Sequence, residues 1–193
     1  MNRIITISRE FGSGGRTIGR QAAEALGIPC YDAELLDKIA EESGFAKEYI
    51  AESGEYAFGT NWLSQALAAR DFNGHSFQDD LWAIQQKIIR ELAEKESCVI
   101  VGRCADYILK DHADCLRVFI HADMESRAKR IVEQYGERSE SPKKRLKDKD
   151  KRRAAYYQLY TDMKWGVAQN YHITLNSGAL GIDKCVEILT DLY

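Results

Sequence analysis

The chain has 193 residues, of which 45% are hydrophobic and 30% charged, and its formal net charge at pH 7 is −3. This length fits one domain with a real core, and the acidic balance disfavours a general nucleic-acid-binding protein. No apolar run approaches the ~20 residues that span a bilayer, and the N-terminus has no signal-peptide pattern, which predicts a cytoplasmic protein without a membrane partner. The five cysteines are scattered and odd in number, which argues against a disulfide framework.

Short apolar runs alternate with helical patterns along the chain. The runs at 4–7, 28–31, 98–101, 116–120 and 172–175 predict five strands. This alternation is typical of an α/β fold, a parallel sheet with helices on both faces. The ligand of such a sheet lies beyond the carboxyl ends of its strands. Those ends carry Arg9 with the glycine-rich turn, Asp32, Gly102-Arg103 and His121.

The first predicted strand runs through a glycine-rich turn into a helix. Glycines let the backbone point successive N–H groups at an anion, and the helix adds its positive N-terminal end. Because Gly15-Arg16-Thr17 stands where a P-loop has Gly-Lys-Ser/Thr, Arg16 is predicted to reach the transferred phosphate, and the Thr17 hydroxyl to bind Mg²⁺. Glu10 replaces the motif's first glycine, and an arginine replaces its lysine. The predicted phosphate-binding residues are Gly12, Ser13, Gly14, Gly15, Arg16 and Thr17.

Two other interpretations of the turn remain open. A dinucleotide-binding fingerprint needs three glycines in the pattern G-x-G-x-x-G and an acid about 20 residues further on. Gly12 and Gly14 fit, and Asp32 stands where the ribose-binding acid is expected, but Thr17 takes the place of the third glycine. The third interpretation is an ordinary turn that binds no ligand.

The stretch between the second and third predicted strands, 32–97, is far longer than the dozen or so residues that an ordinary crossover needs. Apolar residues recur in it at helical spacing, which predicts a helical insertion. It begins at the carboxyl end of a strand, on the side of the glycine-rich turn. Asp32 at its start is also a favourable helix cap.

The segment 143–153 holds eight basic residues and two acids. It follows Ser141-Pro142, a pair typical of a helix start. Basic residues near a phosphate cradle suit a lid over transferring phosphates, and the alternative of nucleic-acid binding fits the acidic chain less well. Arg127 and Arg130 form a second basic pair, three residues apart on a helix that opens near position 123. Four residues of the basic segment and its continuation share one helical face: Lys149, Arg153, Tyr156 and Tyr160.

In combination, three stretches make the chain resemble the cytidylate kinase-like proteins, relatives of bacterial cytidylate kinase among the nucleoside monophosphate kinases. These stretches are ITISREFGSGGR at 5–16, VIVGR at 99–103 and DKRRAAYY at 150–157. The resemblance runs nearly end to end and implies a single P-loop kinase domain over 1–193. That domain would have a five-stranded parallel core, a helical acceptor-binding insertion at 32–97 and a helical lid at about 136–165.

The implied reaction is transfer of a phosphoryl group from ATP to a nucleoside monophosphate, with CMP or dCMP as the expected acceptor. Arg103 belongs to a turn that resembles the family's Gly-Arg-Asp and would face the acceptor phosphate, and Asp32 is the other predicted substrate-binding residue. Base recognition is expected from Tyr31, Asp32 and the polar residues within 56–73. The predicted catalytic residues are Arg16, Arg103, Arg127, Lys151 and Arg153.

Two positions depart from the resembled pattern. Cys104 takes the place of the acid in that turn, and Val101 stands where the authentic enzymes tend to have an acid before it. Coordination of Mg²⁺ is therefore expected from Thr17, Asp32 and water, together with phosphate oxygens. The expected partners are small-molecule nucleotides, and no oligomeric state is predicted. A kinase of another small phosphoryl acceptor and a non-catalytic nucleotide-binding protein remain the alternative functions.

Overall fold

The computed structural model describes residues 2–32 and 77–193. Its strands are β1 (Ile4–Arg9), β2 (Cys30–Tyr31), β3 (Cys98–Val101), β4 (Cys115–His121) and β5 (Ile173–Asn176). All neighbouring strands are parallel, and they form one five-stranded sheet in the order β2-β3-β1-β4-β5. The predicted α/β class with a five-stranded parallel sheet is therefore confirmed.

Helices cover both faces of this sheet. They are α1 (Gly15–Leu26), α2 (Phe77–Lys95), α3 (Ala105–Ile108), α4 (Met124–Tyr135), α5 (Pro142–Thr161), α6 (Ser177–Leu180) and α7 (Ile182–Asp191). Within the described part of the chain, no helix has the length and apolar character needed to cross a membrane. Most of the predicted insertion at 32–97, including the polar stretch 56–73, lies outside the described residues, so its role stays a prediction.

The central strand shows why the predicted strands have nearly continuous apolar runs. On one face of the sheet, Ile4 packs in a buried cluster with Ile88 and Ile89 of α2. On the other face, Ile5 packs in a cluster with Ile18 of α1 and residues of α7. A parallel strand that is buried on both faces has no solvent side to carry polar residues, so it reads as a solid apolar run.

The strand order indicates where on the sheet a ligand binds. β1 lies in the centre between β3 and β4, so the chain crosses from one half of the sheet to the other beside it. Ligands of open α/β sheets bind at such a switch point, beyond the carboxyl ends of the strands. This order differs from the 3-2-1-4-5-6 order of dinucleotide-binding sheets, which disfavours the fingerprint interpretation.

The two basic helices begin at side-chain caps. Asp123 caps α4 by accepting a hydrogen bond from the Ser126 backbone N–H at 2.9 Å. Ser141 caps α5 by accepting one from the Lys144 backbone N–H at 3.4 Å, and Pro142 occupies the first helical position, as predicted. These starts set the rotational phase of both helices and therefore which basic side chains face the sheet end.

Candidate active site

The glycine-rich turn between β1 and α1 has the backbone of an anion cradle. Gly12 and Gly14 have φ angles of 79° and 81°, in the left-handed region that favours glycine. A Cβ on Gly14 would lie 2.5 Å from the Ile182 side chain, so the turn also has no room for a larger residue. Gly14 is the N-cap of α1 and offers no side-chain cap, which leaves the first N–H groups of the helix for a ligand.

Arg16 stands in the first turn of α1 and forms an ion pair with Asp32 through its Nε and a carboxylate oxygen. Its side chain is 50% exposed, whereas that of Asp32 is 17% exposed. Both residues line a large cleft at the carboxyl end of the sheet. The two residues that were predicted to act on the donor and on the acceptor therefore meet, and Asp32 balances the charge of Arg16.

Arg130 of α4 lies across the mouth of the cradle. Its Nη2 donates a hydrogen bond to Thr17 Oγ1 at 2.9 Å. A Cβ on Gly14 would lie 3.2 Å from its guanidinium carbon, so this cation stands directly beside the glycine backbone. A phosphate in the cradle would meet Arg130 as well as the predicted Arg16. The sequence pattern had marked Arg130 as one of a basic pair without placing it in the site.

The cleft is strongly basic. It has a volume of about 970 Å³, and ten basic and four acidic side chains line it in a chain whose net charge is −3. Clefts lined by one sign of charge focus the electric field and raise the local concentration of counter-ions. This distribution is chemically suited to binding polyanions such as nucleotides.

A second group of arginines stands where β1 and β3 end. Arg9, Arg103 and Arg153 all line both the large cleft and an adjoining small cavity of about 30 Å³. Arg153 Nη1 donates to the Arg9 carbonyl oxygen at 3.0 Å, and the Arg9 guanidinium covers Gly102 so closely that a Cβ there would clash. Three cations at one point can clamp an anionic group. Arg9 was not among the predicted site residues, although its place at the strand end is a signal that could have found it.

Two of the predicted catalytic residues do not line this cleft. Arg127 is 5% exposed, and its guanidinium pairs with Glu10 at 3.3 Å and with Asp150 at 2.5 Å. Lys151 is exposed on α5, and its neighbour Arg152 lines the cleft instead. The geometry brings Arg16, Arg103 and Arg153 together and leaves these two outside.

Arg127 instead joins the glycine-rich turn to both basic helices. Asp150 of α5 accepts from the Phe11 backbone N–H at 2.7 Å as well as from Arg127 of α4. Glu10 accepts from the Ala122 backbone N–H at 3.1 Å in addition to its pairing with Arg127. Glu10, which departs from the P-loop motif, therefore fixes the start of the loop against β4 and α4.

Beneath the arginines lies a buried carboxyl. Asp106 is 2% exposed and accepts hydrogen bonds from Ser8 Oγ at 2.9 Å and from the Tyr157 hydroxyl at 2.7 Å. Burial raises its pKa above the usual value, against the opposing effect of those two hydrogen bonds. Burial and the adjacent Asp106 raise the pKa of Tyr157, so its hydroxyl stays a donor. This network links α5 to β1 and to α3, the helix that follows β3.

The donor set near the cradle suits a cation held mainly by phosphate oxygens. Across residues 2–32 and 77–193, the structure contains no cluster of three or more His, Cys, Asp or Glu side chains that could hold a metal. Thr17 and Asp32 both line the cleft, which offers one hydroxyl and one carboxylate. Mg²⁺ usually takes one or two carboxylates with substrate phosphates and waters, so these residues fit it.

Comparison with known sequences gives one family. Residues 4–179 match the model of the cytidylate kinase-like family. A cytidylate kinase of Archaeoglobus fulgidus is 29% identical over 194 residues, which cover 96% of this chain and 91% of that protein. A cytidylate kinase of Natronomonas pharaonis is 25% identical, with 98% of this chain and 90% of that protein covered.

Solved structures give the same architecture. An uncharacterized protein from Eubacterium ventriosum superposes with a TM-score of 0.75 and 30% identity, covering 99% of this chain and 98% of that one. The shikimate kinase from Acinetobacter baumannii, solved in complex with shikimate, has a TM-score of 0.55 at 19% identity, with 100% and 93% of the two chains covered. At that identity the second likeness shows the kinase fold alone.

Proposed function

Since the chain belongs to the cytidylate kinase-like family, we propose that it transfers the γ-phosphoryl group of ATP to a nucleoside monophosphate, with CMP or dCMP as the acceptor. Family membership makes the protein a phosphotransferase that takes ATP as co-substrate and acts on nucleotides. One observation carries the finer proposal: a single cleft joins the glycine cradle at Arg16 to the arginines at 9, 103 and 153. A kinase of this type must align two polyanions, and this cleft offers a cationic group at each end.

The donor end is the cradle. The N–H groups at the start of α1 bind the β- and γ-phosphates, and Arg16 and Arg130 add charge to the same oxygens. Arg16 exchanges its ion pair with Asp32 for the phosphate when ATP binds. Thr17 and Asp32 would hold Mg²⁺, which would neutralise phosphate charge.

The acceptor end is the arginine cluster. Arg103 and Arg9 would orient the acceptor phosphate, and Arg153 of α5, which lines the same cleft and the same small cavity, would contact the transferring group. An oxygen of the acceptor phosphate attacks the γ-phosphorus, the bond from that phosphorus to the bridging oxygen breaks, and ADP leaves. A phosphate monoester has its second pKa near ~6, so the attacking oxygen is already anionic and needs no general base.

A panel of acceptors tests this proposal. ATP consumption should be measured with CMP, dCMP, UMP, AMP, GMP and shikimate, and we expect CMP or dCMP to exceed AMP by up to ~10⁴-fold in kcat/KM, because a site that hydrogen-bonds a base edge rejects the wrong edge. If the protein phosphorylates shikimate and none of the nucleoside monophosphates, its acceptor is a different small molecule and the proposal of CMP or dCMP is wrong. ATP binding without turnover on any acceptor would make the protein a nucleotide sensor.

Asp32 is tested in the same assay. Asp32→Asn keeps the side-chain size and removes the charge that pairs with Arg16, so we expect a lower kcat and a changed dependence on Mg²⁺. Asp114→Asn is the matched control, because Asp114 also pairs with an arginine, Arg3, but lies beside the amino end of β4. Equal kinetics of the two variants would remove Asp32 from the site.

A further inference from the structure

We propose that Gln85 is a positioning residue for Arg103, and that Tyr156 couples this position to the basic helix α5. The proposal deepens the proposed function and depends on it in one respect, since it takes Arg103 as an arginine that binds the acceptor phosphate. Neither Gln85 nor Tyr156 is among the site residues predicted from the sequence.

The turn that presents Arg103 has an unusual backbone. Gly102, Arg103 and Cys104 follow one another with φ angles of 86°, 54° and 53°. Only glycine adopts this left-handed region freely, so the other two residues are under steric strain. Such strain persists where the surrounding structure holds the backbone in place. A relaxed backbone at Arg103 would turn its side chain away from the cleft.

Gln85 supplies that hold. Its side chain is on α2 and is only 1% exposed. Nε2 donates to the Arg103 carbonyl oxygen at 2.9 Å, and Oε1 accepts from the Tyr156 hydroxyl at 3.3 Å. Both ends of the buried amide are therefore used, and a buried amide with fixed partners is costly to reorient.

Tyr156 extends the link to α5. It lies three residues after Arg153, which lines both cavities and donates to the Arg9 carbonyl oxygen. The Tyr156 ring is buried among aromatic residues that include Trp82 and Tyr160. Burial raises its pKa well above the usual range, so the hydroxyl remains a proton donor at neutral pH. The helix that carries Arg153 and the turn that carries Arg103 thus share one connection, and a displacement of α5 would release the hold on Arg103.

Three substitutions test the relay. Gln85→Leu removes both hydrogen bonds, Gln85→Glu places a carboxylate oxygen against the Arg103 carbonyl, and Tyr156→Phe removes only the connection to α5. For both Gln85 variants we expect the KM of CMP to rise and kcat to fall, together by at least about tenfold in kcat/KM, while ATP affinity is unchanged. Tyr156→Phe should change the KM of CMP and kcat in the same directions, but by smaller factors. Gln86→Leu is the matched control, because Gln86 is the next residue of α2 and its Oε1 accepts an exposed hydrogen bond from Arg90 Nη2 at 3.3 Å.

A structural readout keeps this test separate from the proposed function. In a crystal structure of Gln85→Leu, Arg103 should leave its positive φ, whereas it should keep this value in Gln86→Leu. If no acceptor is phosphorylated by the wild type, the proposed function fails, and the φ angle alone decides the positioning role. A positive φ retained in Gln85→Leu, or an equal loss of ATP and CMP binding, would overturn the relay. If Gln85→Leu does not fold, Gln85→Glu, which keeps the size of the side chain, supplies both readouts.

Discussion

Arg16 follows the last glycine of the cradle and pairs with Asp32, which lines the same cleft. Arg16→Ala removes a charged contact to the transferred phosphate, so we expect kcat/KM for ATP to fall on the order of 10²-fold or more. Arg16→Lys should restore part of this loss, because lysine is the usual residue of the motif. Steady-state kinetics and ATP titration measure both effects, with the exposed Arg90→Ala as control. Intact ATP affinity and turnover in Arg16→Ala would mean that the turn is not a phosphate cradle.

The buried carboxyl of Asp106 makes the stability of the fold depend on pH. Its pKa lies above the usual 3.8 in the folded protein, mainly because of burial. The folded state then binds the proton more tightly than the unfolded chain, so stability falls as pH rises from 3.8 through the folded-state pKa and is constant above it. Asparagine does not ionise, so Asp106→Asn does not lose this stability as the pH rises. We therefore expect the free energy of unfolding of Asp106→Asn, relative to wild type, to increase with pH between 3.8 and the folded-state pKa of Asp106.

Urea denaturation over a pH series measures this difference. Asp111→Asn is the control, because Asp111 is exposed and follows α3, the helix that contains Asp106. A relative stability of Asp106→Asn that decreases as pH rises would contradict the prediction, since it would mean that the ionised carboxyl is the form the fold prefers. Asp106 also accepts from Ser8 and Tyr157, so the comparison should include Tyr157→Phe, which removes one of the opposing hydrogen bonds.

Single residues were predicted from sequence only where a local pattern defines their chemistry. The glycine turn predicted Arg16 and Thr17, and the structure places both in the cleft. Gln85 has no local signal, because its function depends on a turn and a helix that lie far from it in sequence. Arg127 and Arg130 share a helix and a spacing, yet one is buried in an ion-pair network and the other lines the cleft. Spacing gives the face of a helix and not the depth at which each side chain ends.

At the scale of elements, the Glu10–Arg127–Asp150 network joins the loop, α4 and α5. Arg127→Met leaves two poorly exposed carboxylates without their cation, and we expect the free energy of unfolding to fall by about 3–5 kcal/mol. The triple variant with Glu10→Gln and Asp150→Asn should recover part of that loss, because no unpaired charge remains. Chemical denaturation measures both variants, and Arg130→Met is the control. A triple variant less stable than Arg127→Met would show that the charges are not the reason.

The basic residues of α5 differ in their position relative to the cleft. Arg153 lines both cavities, whereas Lys151 is exposed elsewhere on the helix. We expect Arg153→Ala to lower kcat on the order of 10²-fold with a smaller effect on ATP binding, because its contact matters most in the transition state. Lys151→Ala should leave both quantities nearly unchanged. Salt-sensitive binding of the wild type to RNA, with normal kinetics in Arg153→Ala, would instead favour a nucleic-acid surface.

Element types were largely predictable, and their ends and order were not. The run at 28–31 predicted a four-residue strand, but only Cys30–Tyr31 pairs with β3. Pro29 has no N–H and contributes only its carbonyl, which accepts from Val99 at 2.9 Å. The strand order depends on long-range packing that no local run encodes, and that order brings Arg9 beside Arg103.

For the whole molecule, charge is distributed unevenly. The chain is acidic overall, whereas the cleft at the carboxyl end of the sheet has ten basic and four acidic side chains in its lining. This arrangement attracts small polyanions into the cleft and gives the rest of the surface the opposite sign.

The shared cleft leads to a prediction for the assembled site. A ligand that joins adenosine to cytidine through a polyphosphate should raise the Tm more than ATP and CMP added together at the same concentration, because the second binding event becomes intramolecular. The analogue that joins two adenosines is the control for base recognition and should give a smaller shift. Arg16→Ala and Arg103→Ala should each reduce the shift towards that of a single nucleotide. If the joined ligand stabilises the protein no more than ATP does, the acceptor does not bind in this cleft, and the arginine cluster at its far end serves another purpose.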